Sequence, residues 1–153
     1  LFRIIFWKSI MTESTENQNI MDNEYGHTDI PPILKPLDIR EKYWGKITSV
    51  CKLENCTLKV IDMKANTQSS LEFHTQKDET YYILSGKVKL GIRYGRGQNK
   101  SVTLKEGDVY HVPRGVMHMR MSLEDSVIIE IASNDTDADS HIVEDGKNYE
   151  WTE

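Results

Sequence analysis

The sequence predicts an all-β domain, built either as a closed barrel or as two facing sheets. Three observations lead there. Short runs rich in β-branched and aromatic residues recur at near-regular spacing, separated by turn signals. Lys87–Tyr94 alternates: Val88, Leu90 and Ile92 point one way, and Lys87, Lys89 and Arg93 the other. No window of ten or more residues carries a helical period.

In chain order, residues 1–10 are apolar with Arg3 and Lys8, too short to span a bilayer and followed by no small-residue cleavage site. Met11 or Met21 is read as the start of the protein, and residues 1–10 as an upstream stretch without a function. Residues 11–30 are polar, and Pro31, Pro32 and Pro36 give an extended entry. The expected division is a flexible segment 1–34 and a domain 35–153. Expected strands follow at 46–52, 56–63, 70–74, 80–85, 87–94, 101–105, 109–112, 118–122 and 126–132. Turns fall at 53–55, Gly86, 95–99, 106–108 and 113–115. The acidic tail 133–153 reads as solvated, able to wrap the domain through Ile142, Val143, Tyr149 and Trp151.

Composition excludes several classes. The 153 residues suit one domain with a core, and 19 basic against 24 acidic residues give a net charge of −5, a poor match to nucleic acid. Nothing is long and apolar enough for a membrane span. Cys51 and Cys56 make neither a disulfide framework nor a four-thiolate zinc site, and two thiols in an acidic chain suggest a reducing, cytoplasmic setting.

Two segments carry chemistry. On a strand, His74 and Gln76 share a face, and Glu79 opens the next strand close by. Further on, Gly107, Pro113 and Gly115 shape turns that deliver His118. If the two hairpins face each other, His74, Gln76, Glu79 and His118 converge as two imidazoles, a carboxylate and an amide oxygen. That set suits a divalent metal ion such as Zn, Mn or Fe, with positions left for substrate. Arg114, in the turn beside His118, is a candidate clamp for an anionic group. Alone, either histidine would more often be structural. His111, His27 and His141 are read as lining, surface or inert residues.

These segments resemble the two cupin motifs, G-x5-H-x-H-x3,4-E-x6-G and G-x5-P-x-G-x2-H-x3-N. The second is matched at Gly107, Pro113, Gly115 and His118, with Ser122 in place of Asn. The first is matched at His74, Glu79 and Gly86, with Gln76 for the second His, Gln68 for the first Gly, and only two residues between Gln76 and Glu79. Ser70 to Tyr81 further resembles the first motif of the cupin domain of type II mannose-6-phosphate isomerases. Glu41–Gly45 and Glu130–Tyr149 resemble the entry and closing segments of that domain.

The resemblance implies a jelly-roll barrel, the double-stranded β-helix of cupins, with metal ligands His74, Gln76, Glu79 and His118. It implies aldose–ketose isomerisation of a sugar phosphate in carbohydrate metabolism, with Glu79 and Arg114 as catalytic candidates. If Glu79 binds metal, then Lys77, Tyr82 or His111 is left as the base. It also implies homodimers formed by exchange of N-terminal strands within residues 31–45. Two other functions stay open, a metal-dependent oxygenase or decarboxylase and a non-catalytic sugar- or small-molecule-binding module.

Overall fold

A computed structural model describes residues 33–153; the expectations placed on residues 1–32 lie outside them. Pro36–Glu153 forms a compact unit of twelve strands with one 3-10 turn, and no α-helix occurs among the described residues. The strands are β1 (Asp38–Lys42), β2 (Gly45–Lys52), β3 (Thr57–Met63), β4 (Thr67–Gln68), β5 (Leu71–Phe73) and β6 (Glu79–Ser85). They continue with β7 (Lys87–Tyr94), β8 (Lys100–Lys105), β9 (Val109–Val112), β10 (Val116–Ser122), β11 (Ser126–Ala132) and β12 (His141–Glu144). The turn is Asp137–Asp139. No described helix is long and apolar enough to cross a membrane.

Two antiparallel sheets result. One has the order β1-β2-β3-β11-β6-β9, and the other β12-β5-β10-β7-β8 with β4 beside β10. Period-2 alternation decides what each strand turns inward. Ile83, Ile61, Ile128, Val88 and Leu90 are buried together at one end of the interior. The same strands become polar along their length. β6 runs from Ile83 through Tyr81 to Glu79, and β11, in register with it, from Ile128 to Glu130. On β10 the buried residues include His118 and Arg120. An apolar cluster therefore holds the sheets together, and it reaches the donors at Val112, opposite Glu79, and Ile92, opposite His118.

Two glycines fix the turns that matter most. Gly86, between β6 and β7, has φ +83, and a Cβ there would lie 2.4 Å from the Asp125 carbonyl oxygen. Gly86→Ala is expected to cost about 3 kcal/mol or more, seen as a lower urea midpoint at unchanged m. Gly115 (φ +81) turns the chain into β10, and its N–H donates to the His74 carbonyl at 2.6 Å, tying the two motif segments together.

The acidic tail departs from the solvated reading. Trp151 lies against Gly91 on β7, where a Cβ would come within 2.8 Å of the indole. Asn99 donates to the Tyr149 hydroxyl and to the Thr152 carbonyl. Ile142, expected to help the tail wrap, is exposed.

Candidate metal centre

His74, Glu79 and His118 are brought together as expected, and all three are buried, at 4%, 1% and 1% exposure. His118 Nε2 lies 2.9 Å from Glu79 Oε2, and His74 Nε2 lies 3.4 Å from Glu79 Oε1. Each imidazole has its other nitrogen committed to a backbone carbonyl. His74 Nδ1–H donates to Asp139 at 2.8 Å, and His118 Nδ1–H donates to Val116 at 3.0 Å. That network assigns the tautomer, so each neutral ring aims its Nε2 lone pair inward. Both Nε2 atoms are buried without a hydrogen-bond donor facing them. Two lone pairs and a carboxylate at this separation repel unless a proton or a cation sits among them. The residues present therefore fit a divalent ion.

Gln76 does not join them. The spacing argument needs a strand running through residue 76, but β5 ends at Phe73 and residues 74–78 form a loop. Gln76 is exposed, with its N–H donated to Asp139 Oδ2 at 2.9 Å. The residue on the same strand face as His74 is instead Glu72, directly across from His118 in the β5–β10 pairing. Ligand atoms of Glu72, His74 and His118 lie within 4.8 Å of one another. This shifts the register of the first motif. Glu72 takes the place of its first His, and four residues separate His74 from Glu79. Asn66, at φ +58, takes the place of its first Gly. The sequence signal was present: a carboxylate two residues before His74, on the alternating run 70–74.

A buried charge network surrounds the donors. Lys77, itself buried, contacts Glu79 and lies 3.4 Å from both Glu130 and Asp135. Burial opposes its charge, but Glu130, Glu79 and Asp135 raise its pKa well above the usual lysine value. Lys77 is therefore held as a cation. Tyr81 donates its hydroxyl to Glu79 Oε2 at 2.7 Å and accepts from Arg120 Nη1 at 3.1 Å. Arg120 also reaches Glu72 at 3.0 Å and Glu130 at 3.5 Å. Without a cation, burial works against the ionised form of Glu79, yet hydrogen bonds from a proton on His118 or His74 Nε2 and the Lys77 ammonium hold its pKa well below 4.5.

Arg114 is not where an anion clamp would need to be. It is exposed, is absent from the walls of the cavity described below, and gives its backbone N–H and guanidinium to Asp78. Tyr82 and His111 are exposed, and His111 Nδ1 sits 3.2 Å from the Thr80 hydroxyl, so neither faces the donors. The alternating aspartates of the tail matter more than their composition suggests. Asp135 pairs with Lys59 at 2.7 Å and Asp137 with Arg40 at 2.7 Å. Asp139 accepts from the hydroxyl and N–H of Thr75 and from the N–H groups of Gln76 and Lys77, at 2.6 to 2.9 Å.

These shifts set a pH dependence. Glu79 and Asp139 titrate below their ordinary 4.5 and 3.8, so their stabilisation is complete above those values and lost as the pH falls through the lower folded ones. His74 is shifted upward from 6.5, chiefly because Glu79 outweighs burial, and its contribution runs the other way, lost as the pH rises past its folded value. Urea midpoints of the metal-free chain are expected to fall steeply below about pH 4.5 and to decline mildly above neutrality.

A cavity of about 390 Å³ opens onto the centre, and Glu72, His74, Lys77, Glu79, Arg120 and Glu130 are among the residues lining it. Lys42, Tyr43, Trp44 and Lys147 also line it.

Comparison with known proteins agrees with this architecture. KdgF from a Halomonas species is 19% identical, with a TM-score of 0.58 over 66% of this chain and 89% of its own. The capsular polysaccharide assembling protein CapF from Staphylococcus aureus is 20% identical, with a TM-score of 0.63 over 72% of this chain and 33% of CapF. A variant oxalate decarboxylase from Bacillus subtilis is 18% identical, with a TM-score of 0.62 over 76% of this chain and 34% of its own. This chain thus spans about a third of the latter two, and at such identities the likeness is one of fold. No curated protein sequence matches the chain. The Cupin family profile matches residues 44–149, which take in every donor and both motif segments: the chain belongs to the cupin family.

Proposed function

We propose that this cupin is a metal-dependent enzyme acting on a small anionic polyol, and that its reaction is the aldose–ketose isomerisation of a sugar phosphate. The observation that carries the reading is the convergence of two orphaned imidazole nitrogens and the Glu79 carboxylate beside the cavity. His74, Glu79 and His118 would hold Zn, Mn or Fe, while the Glu72 oxygens are held by Arg120 and Ser140 instead of the ion. The bound ion would supply Lewis acidity toward adjacent substrate oxygens.

The chain's own residues divide the remaining work. Lys77 presents a fixed positive charge to an oxygen that gains negative charge in an enediolate. Glu72 is on the cavity wall, and burial is outweighed by Arg120 in keeping it ionised, the state a base requires. It is the carboxylate placed to move the proton between adjacent carbons. A cytoplasmic homodimer belongs to the same reading. It is supported by the free thiols of Cys51 and Cys56 and by β1, an exposed edge strand within the segment expected to exchange.

The test is elemental analysis of the purified chain, followed by NMR of mannose 6-phosphate incubated with it. One metal ion per chain and the appearance of fructose 6-phosphate are expected. Glu72→Gln should retain the metal while kcat falls by two orders of magnitude or more, roughly the scale of general-base catalysis. Metal present with saturable sugar binding but no turnover would make this a binding cupin instead.

A further inference from the structure

We infer that docking of the segment Asp137–Glu144 and cation binding at the centre are one coupled equilibrium, transmitted by Asp139 as a positioning residue; this rests on the metal reading above. Asp139 makes five hydrogen bonds to the loop that carries the donors. Its carboxylate takes the N–H and hydroxyl of Thr75 and the N–H groups of Gln76 and Lys77, and its carbonyl takes His74 Nδ1–H. The next residue, Ser140, donates its hydroxyl to Glu72 Oε2 at 2.7 Å. His141 then stacks on Phe73, between Glu72 and His74 in sequence, with ring centroids 4.9 Å apart. One short segment thus touches Glu72 and His74 directly and pins the backbone that places Lys77 against Glu79.

The same segment is weakly held from outside. Among the described residues β12 is the edge strand of its sheet and pairs only with β5, and the register slips between Ile142 and Glu144. Three of its four residues are exposed. Such an edge detaches at a lower free energy than the whole domain unfolds. Detachment would strip His74 of the carbonyl that fixes its tautomer and release the 75–77 loop. Partners of this kind are typically worth 10- to 100-fold in metal affinity. Because linkage is reciprocal, a bound cation must favour the docked segment by the same factor. The tail of this cupin is therefore a reporter of occupancy as well as a brace for the site.

The experiment uses the full chain and cobalt(II), followed by its absorption bands, together with amide hydrogen exchange at residues 140–144. The variants are Asp139→Ala and Asp139→Asn, with Asp137→Asn as control, since Asp137 in the same turn pairs with Arg40 and touches no donor. Asp139→Ala is expected to weaken cobalt binding about 10- to 100-fold, Asp139→Asn by less, and Asp137→Asn least, because the exposed Arg40 pair it loses adds little to docking. Saturating cobalt is expected to slow exchange at 140–144 in the unsubstituted chain by a similar factor. If Asp139→Ala fails to fold, Asp139→Asn and the exchange measurement decide. Unchanged affinity in both Asp139 variants, or exchange indifferent to bound cobalt, overturns the coupling while leaving the metal centre standing. Failure of the unsubstituted chain to bind cobalt overturns the metal reading and the coupling with it.

Discussion

His118→Ala is expected to empty the centre. The ring is 1% exposed, its Nδ1–H is held by the Val116 carbonyl, and its Nε2 is 2.9 Å from Glu79, so no neighbouring group can take over its lone pair. The loss in metal affinity should exceed about 100-fold, the upper end of what outer partners contribute, because a direct donor is removed. Mass-spectrometric metal content of the purified variant should drop from one ion per chain toward zero. Gln76→Ala is the matched comparison. That residue is exposed and should leave the content unchanged, although spacing put it in the candidate ligand set as a weaker amide donor. Metal retained at full stoichiometry in His118→Ala would refute the donor set.

Arg120→Met should produce the largest loss of stability. The guanidinium is 4% exposed and serves Glu72, Glu130 and the Tyr81 hydroxyl at once. Its removal strands Glu130, itself 3% exposed, with fewer compensating charges. Breaking a buried pair in this way typically costs about 3–5 kcal/mol. For a unit of this size that corresponds to a fall in Tm of roughly 10–20 °C. Scanning calorimetry of the metal-free chain measures it directly. Adding Glu130→Gln should recover part of the loss, since the penalty belongs to the unpaired carboxylate more than to the missing cation. A fall below about 1 kcal/mol would mean the network is solvated and exchangeable.

The strands were legible because their inward faces are. Lys87–Tyr94 alternates so cleanly that a half-buried strand accounts for it, whereas Ser126–Ala132 was legible only as a β-branched run, since its inward face holds Ser126 and Glu130 and Ile131 is exposed. His118 was legible because Gly107, Pro113 and Gly115 punctuate the chain before it. The first donor segment was misregistered for a local reason. A strand was carried through residues 74–76 where the chain instead loops around Asp139, and that carboxylate lies 65 positions from His74. No window on the sequence contains both partners. β12 and the roles of Asp135 and Asp139 were hidden similarly, since an aspartate that pairs with distant lysines and one that caps a distant loop look, in one dimension, like a solvated tail. Arg120 and Lys77 show the converse, basic side chains, one on a strand and one in the 74–78 loop, that the fold turns inward.

The position of Glu72 outside the buried apolar cluster has an engineering consequence. That residue is open to redesign while the cluster is left alone. Exchanging Glu72 for histidine, for example, would add an imidazole to the site and change the local charge without trimming a single methyl group from Ile61, Ile83 or Ile128. A scaffold with such a position invites new chemistries by small steps.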